Sequence, residues 1–147
     1  MADTITIILA DDHALLRRTV HRLLDSKEGF EVVGEAADGE EAVHLVRTLR
    51  PMVVILDLRM PKLDGIGAAR QISELASPPK VIIFTILSTH DLVLRAFEAG
   101  CCAYVLKTPA VEELIEAIHE ALAERWFVSA PLRVLQTELE ERFGRGS

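Results

Sequence analysis

The sequence predicts an α/β domain, a mostly parallel sheet of five strands with helices on both faces. Three observations carry this. Short aliphatic runs alternate five times with stretches of helical spacing. The connections between them are short, as βα units require. Several runs are apolar throughout instead of alternating, which marks strands buried on both faces. Parallel strands joined by helices imply right-handed crossovers.

The elements can be placed in chain order. ITIILA at 5–10 leads into a helix over 13–26, with Asp12 as a suitable N-cap. EVVGEAA at 31–37 precedes a helix over 39–49, where Asp38 caps and Glu41 completes a capping box; Arg50-Pro51 ends it. MVVIL at 52–56 runs into Asp57, and after an Asp64-Gly65 turn a third helix covers 65–75, closed by Ser77-Pro78-Pro79. KVIIF at 80–84 precedes a helix over 89–99, and Gly100 suits the left-handed position after it. CAYVL at 102–106 is the last strand. Thr108 then reads as the N-cap, and Pro109 as the first residue, of a helix over 110–124. On that helix Val111, Leu114, Ile115, Ile118 and Leu122 share one face, while Glu113, Glu116, Glu120 and Glu124 face away. These elements define a domain at 1–125. In the remainder, 126–147, Ser129-Ala130-Pro131 resembles a helix start, and Leu132, Leu135, Leu139 and Phe143 form a stripe. This tail is a linker or an extra amphipathic helix that docks on the domain, pairs with a second copy, or leads toward another domain.

The bulk properties narrow the function. The 147 residues suit one domain and a short appendage. A formal charge of −7, from 16 basic and 23 acidic residues, argues against direct nucleic acid binding through a phosphate grip. No apolar stretch approaches the roughly 18 to 20 residues of a membrane span, and MADTITIILADD lacks the basic region of a secretory signal. Adjacent Cys101 and Cys102 have neither disulfide-framework nor zinc spacing, so they read as reduced core residues. A cytoplasmic protein is expected. No Gly-rich nucleotide loop is present, so direct use of ATP is not.

The residues that end the runs are the chemical signal. The first run ends in Asp11-Asp12, the third in Asp57, the fourth in Thr85 and the fifth in Lys107. A flavodoxin-like strand order, 2-1-3-4-5, sets the first and third strands together at the switch point where ligands bind. Each residue alone reads equally as a cap or a strand terminator. Together they make a pocket of three carboxylates with a hydroxyl and an ammonium at its rim. Clustered carboxylates resolve their repulsion by taking up protons or a cation, and an all-oxygen set favours a hard ion such as Mg²⁺. A carboxylate is also a nucleophile toward phosphorus, and a metal with a lysine neutralises a transferring phosphoryl group.

Through ILADDH, VVILDLRMPKLDG, IIFT and EAGCCAYVLK, residues 4 to 125 resemble the receiver domain of two-component response regulators. The details are similar to receivers that usually carry a C-terminal helix-turn-helix, for which the remaining residues have no room. The chain is therefore expected to be either a stand-alone regulator or a piece of a longer one. The resemblance implies that Asp57 accepts a phosphoryl group from a sensor histidine kinase or phosphotransfer protein. Asp11 and Asp12, with Asp57 and the backbone carbonyl of Arg59, would hold Mg²⁺. Thr85 would be the switch hydroxyl, Lys107 the phosphate contact, and Tyr104 the aromatic that changes rotamer with Thr85. The surface of the fourth helix, fifth strand and fifth helix would then switch to control an output such as transcription, with homodimerisation on phosphorylation as a possible consequence. Arg59 and Leu87 would tune water access, and the first helix, around Leu15, Leu16 and Thr19, would select the partner.

One departure stands out. The family usually follows its lysine with a proline across a cis bond, whereas this chain reads Lys107-Thr108-Pro109. A cis bond at Lys107-Thr108 would cost roughly 3 kcal/mol, and the sequence leaves cis and trans open. Other readings compete. Tyr104 is also explained as half-buried packing near the end of an edge strand, and Arg59 as a solvent-facing cation. The histidines, His13, His21, His44, His90 and His119, lie on separate elements and form no ligand set, with His13 read as a helix-start residue. A Mg²⁺-dependent phosphotransfer enzyme would need a lid that these short loops do not supply. A phosphorylation-independent interaction scaffold would be expected to have lost an acid or the lysine.

Overall fold

A computed structural model describes residues 4–107 and 111–144. The elements are β1 (Ile5–Ala10), α1 (Ala14–Asp25), β2 (Phe30–Ala36), α2 (Gly39–Leu49), β3 (Val53–Leu56), α3 (Gly65–Ser73), β4 (Lys80–Thr85), α4 (His90–Glu98), β5 (Ala103–Leu106), α5 (Glu112–Leu122), β6 (Phe127–Val128) and α6 (Gln136–Phe143), with a 3₁₀ turn over Ala130–Leu135 before α6. The sheet is parallel throughout and ordered β2-β1-β3-β4-β5-β6. The five expected strands take the expected flavodoxin-like order, and β6 adds a sixth beside Ala103 and Tyr104. Two residues are too few to display a strand period, so β6 left no signal in the sequence pattern.

Alternation along each buried strand feeds two cores. Ile7, Leu9, Ile55 and Ile82 meet Val20 and Leu24 of α1 and Leu114 and Ile118 of α5. Ile8, Val54, Leu56 and Ile83 meet Val43 and Val46 of α2, Ile72 of α3, and Val93 and Phe97 of α4. Because both faces are covered, the central strands have no polar side, which accounts for the continuous apolar runs. Cys101 and Cys102 are both buried, and burial pushes the Cys101 thiol well above its usual range.

Most punctuation acts as the sequence suggests. Asp38 accepts from the Glu41 amide at 2.8 Å, and Glu41 reaches back to the Ala37 amide at 2.8 Å. Asp64 caps α3 through the Gly67 amide at 2.8 Å. Arg50 ends α2 in the left-handed region (φ 48°) and Gly100 succeeds α4 at φ 107°. A Cβ on Gly100 would also lie 2.1 Å from Ser73 Oγ, so no side chain fits there. Several boundaries differ. Helix α5 begins at Glu112, after Val111, and ends at Leu122, shorter at both ends than the expected 110–124. Helix α3 stops at Ser73, well ahead of the prolines. The N-cap of α1 is His13 rather than Asp12, and it makes no side-chain cap bond. The Thr108–Pro109 helix start and the Lys107–Thr108 bond lie outside the described residues.

The tail stripe packs on the α4 side of the sheet. Leu132 and Leu139 join that core, and Trp126 lies 5.1 Å from Phe97 and 5.8 Å from Phe143 between ring centroids. Glu113, expected to face away from the core, instead accepts from Ser129 Oγ at 2.7 Å and the Ala130 amide at 2.9 Å. The reason is local: Ser129 is wholly buried, so its hydroxyl needs a partner, as do the amides opening the 3₁₀ turn.

Because the tail is part of the core, Leu139→Ala (1% exposed) lowers stability by about 2–4 kcal/mol. Val134→Ala (85% exposed) changes it by less than about 0.5 kcal/mol. Urea unfolding followed by the fluorescence of Trp126, the sole tryptophan, compares the two.

Candidate functional site

Backbone pairing continues one residue past the strands and so fixes where the polar side chains emerge. The Asp11 amide donates to Ala36 O of β2 at 3.0 Å, the Asp57 amide to Ala10 O of β1 at 3.0 Å, and the Lys107 amide to Thr85 O of β4 at 2.8 Å. Asp11, Asp57 and Lys107 are thus the first residues beyond their strands, yet remain tied to the sheet. The loop after β3 is pressed against the same edge. The Gly65 amide donates to Leu58 O at 2.8 Å, and a Cβ on Gly65 would lie 2.2 Å from Asp57 O.

The side chains converge on Lys107. Its Nζ donates to Asp11 Oδ2 at 2.6 Å and to Asp57 Oδ2 at 3.0 Å. Burial works to lower the Lys107 pKa, but the bond to Asp11 and the charge of Asp57 outweigh it and hold the ammonium above its ordinary range. Asp57 Oδ1 accepts from the Leu58 amide at 2.8 Å, and Asp11 Oδ1 from the His13 amide at 2.9 Å. Asp12 and Arg59 are exposed. A depression of about 410 Å³ is lined by Asp12, His13, Asp57, Arg59, Thr85 and Lys107, among others. Asp11, Asp12 and His13 each bring a ligand atom within 4.8 Å of the others. The sequence set His13 near the acid pocket as a helix-start residue, and it is the N-cap of α1. All the acids, the hydroxyl and the lysine named from the sequence meet at this edge, Arg59 reaching it from the rim.

Thr85 is buried, and its Oγ1 accepts from the Leu87 amide at 3.3 Å. Tyr104 is 0% exposed, not half-buried. Its strand is not an edge, because β6 covers it. The phenol donates to Leu87 O at 2.7 Å, and burial pushes its pKa up. Leu87 is thus held through both main-chain polar atoms, one by the hydroxyl of Thr85 and one by that of Tyr104.

The family model of the response regulator receiver domain matches residues 7–119. The transcriptional regulatory protein PdtaR of Mycobacterium tuberculosis is 42% identical over 80% of this chain and 56% of its own length. LiaR of Bacillus subtilis is 40% identical over 80% and 56%, so the chain spans a little over half the length of these curated relatives. A LuxR-family two-component response regulator from Aurantimonas superposes with a TM-score of 0.85 at 38% identity, covering 96% of this chain and 99% of that one. The receiver domain of the putative response regulator NarL from M. tuberculosis gives 0.80 at 30% identity, over 84% and 99%.

Behind Asp11 lies a support that sequence reasoning missed. Arg17 Nη1 donates to Asp11 O at 2.5 Å and Nε to Glu35 Oε1 at 2.6 Å, while His21 Nδ1 lies 2.5 Å from Glu35 Oε2. Arg17 and Glu35 are 18 residues apart on different elements, and no local pattern links them. Burial works to raise the Glu35 pKa, but the bonds to Arg17 and His21 overcome it and hold the carboxyl below its ordinary 4.5. A depressed acid stabilises the fold fully above its unfolded value, and that contribution is lost as pH falls through the folded one. The stability gap between wild type and Glu35→Gln should therefore be constant above 4.5 and shrink on further acidification. Urea midpoints across that range measure it, and a gap that does not shrink would show that the cluster adds nothing to the fold.

Proposed function

The chain belongs to the response regulator receiver family, and from that premise we propose that it is a phosphorylation-switched receiver with Asp57 as the phospho-acceptor. The observation that carries the proposal is the ammonium of Lys107 bonded to both Asp11 and Asp57. It supports an edge that gathers negative charge and is built to take more.

A carboxylate oxygen of Asp57 attacks the phosphorus of a phosphohistidine. The new P–O bond forms as the P–N bond breaks, and the electron pair returns to the departing imidazole. Lys107 passes from its carboxylate partners to a phosphoryl oxygen, and the Thr85 hydroxyl donates to another, so the added charge meets two ready donors. Asp11, Asp12 and Asp57, with the Arg59 carbonyl, form an oxygen-rich set that suits Mg²⁺. That ion supplies neutralisation of the phosphoryl oxygens when bound. The rim residues Arg59 and Leu87 control water access, and hence how long the acyl phosphate lasts. The domain performs only its own phosphorylation and dephosphorylation.

The phosphoryl group adds about −1.5 to −2 of charge and draws Thr85 away from the Leu87 amide. Tyr104 is already inward here, so phosphorylation acts on the balance between existing arrangements rather than making a new one. Leu87, held by Thr85 and Tyr104, passes the change to α4 and β5. The partner is a histidine kinase or phosphotransfer protein, which meets α1 where Leu15 and Thr19 are exposed beside the pocket. No helix among the described residues is long and apolar enough to cross a membrane. The kinase partnership assigns the domain to the cytoplasm. Control of transcription, and homodimerisation on phosphorylation, are the outputs this reading assigns to the switched surface.

Incubation with acetyl phosphate should add the mass of one phosphoryl group to wild type only when Mg²⁺ is present, and none to Asp57→Asn. If no adduct accumulates, beryllofluoride binding in the presence of Mg²⁺ separates rapid hydrolysis from an incompetent site. A protein that binds neither is not a phosphorylation switch.

A further inference from the structure

Arg17 plays no part in phosphoryl transfer, yet it is nearly buried (side chain 12% exposed) and bonded directly to the main chain of the acid pocket. We infer that Arg17 is a positioning residue for the divalent cation: it clamps the start of α1 to the end of β1 and so fixes the Asp11-Asp12 pair. The inference rests on the proposed function for its metal.

Helix α1 lacks the side-chain cap that its neighbours have, and a different contact holds its start. Helices α2, α3 and α4 each have a side chain that accepts from a first-turn amide, from Asp38, Asp64 and Thr89. Helix α1 has none, and no acid in its first turn. Arg17 reaches back instead to Asp11 O, and its Nε is braced by Glu35 of β2. Glu35 is held in turn by His21, whose Nε2 lies 3.0 Å from Asp25 Oδ2. Asp25 Oδ1 accepts from the Val32 amide of β2 at 2.8 Å. This chain of bonds runs from the pocket along α1 and back to the sheet. Every polar atom of Asp11 then has a partner: the amide on Ala36 O, the carbonyl on Arg17, Oδ1 on the His13 amide and Oδ2 on Lys107.

Charge and position predict opposite signs, and this makes the inference testable. Arg17 is a cation beside carboxylates, so by Coulomb repulsion alone its loss would tighten binding of a divalent cation. If its work is positional, loss loosens Asp11-Asp12 and weakens binding, and removing such outer partners of metal ligands typically costs about 10–100-fold in affinity. Calorimetric titration of the folded full chain with MgCl₂ alone would compare wild type, Arg17→Met, Arg17→Lys and the exposed neighbour Arg18→Met as a charge control. Arg17→Met should bind Mg²⁺ at least about 10-fold more weakly. Arg17→Lys keeps the charge but loses the planar fork that bridges two acceptors, and should recover only part. Arg18→Met should match wild type or bind slightly more tightly. Binding by Arg17→Met as tight as wild type, or tighter, overturns the inference. If circular dichroism shows Arg17→Met unfolded, Arg17→Lys decides, and wild-type affinity in it overturns the inference equally. Failure of wild type itself to bind Mg²⁺ overturns the metal reading of the site, and the inference with it.

Discussion

The carboxyl edge of this sheet depends on one counter-charge, the ammonium of Lys107. Asp11 and Asp57 are both buried, and carboxylates so placed repel each other and lose hydration. A single cation bonded to both offsets the two penalties at once. Its placement is a property of the whole sheet. Lys107 is set by the pairing of β5 on β4, and β5 is an interior strand only because β6 pairs with it. Breaking a buried ion pair by removing one partner typically costs about 3–5 kcal/mol, so the loss of Lys107 would leave two buried carboxylates without their shared partner.

The same strands connect the pocket with the far side of the molecule. Leu87 donates to Thr85 and accepts from Tyr104. Three residues later His90 Nε2 lies 2.9 Å from Glu138 of α6. The Tyr104 carbonyl accepts from the Ser129 amide at 3.0 Å, and α4 and α6 share the aromatic cluster of Phe97, Trp126 and Phe143. The β4–α4 loop is therefore gripped on one side by the two hydroxyls of the pocket and on the other by the tail. A rearrangement at Thr85 and one at α6 meet in the same four residues, Leu87 to His90.

Legibility from sequence tracked the range of the interaction. Strand runs, helix faces, the Asp38 cap and the left-handed Gly100 depend on residues within a turn of one another, and the sequence displayed them. The convergence of Asp11, Asp57, Thr85 and Lys107 was also legible, because parallel topology brings strand ends together whatever lies between. The Arg17–Glu35–His21 cluster was not: an arginine on α1 and a glutamate on β2 look like ordinary surface charges until the two elements pack. Glu113 shows the same limit. Periodicity assigned it to the solvent side of α5, correctly for the helix alone, but the tail places two donors over it. The competing reading of Tyr104 as half-buried edge packing fails because β6 is too short to announce itself, and one unseen strand turns a half-buried edge residue into a fully buried one.

The loop after β3 explains why a strand so thoroughly apolar delivers a carboxylate. Val53 to Leu56 are buried from both faces, so the first place a charge can emerge is past the strand's last residue, at Asp57. The loop must leave that carboxylate accessible while closing the core beneath it. The chain does so by main-chain contact. A Cβ on Gly65 would strike Asp57 O at 2.2 Å, and one on Gly39 would strike Leu63 O at 2.0 Å. Lys62 takes up the left-handed region (φ 70°) between them. The loop thus lies flat against the strand end, where no side chain fits, and the Leu58 amide bonds Asp57 Oδ1. That bond turns the other oxygen toward Lys107. One backbone amide and one lysine hold the two oxygens of the Asp57 carboxylate, and only the lysine could be set at this edge from its position in the sequence.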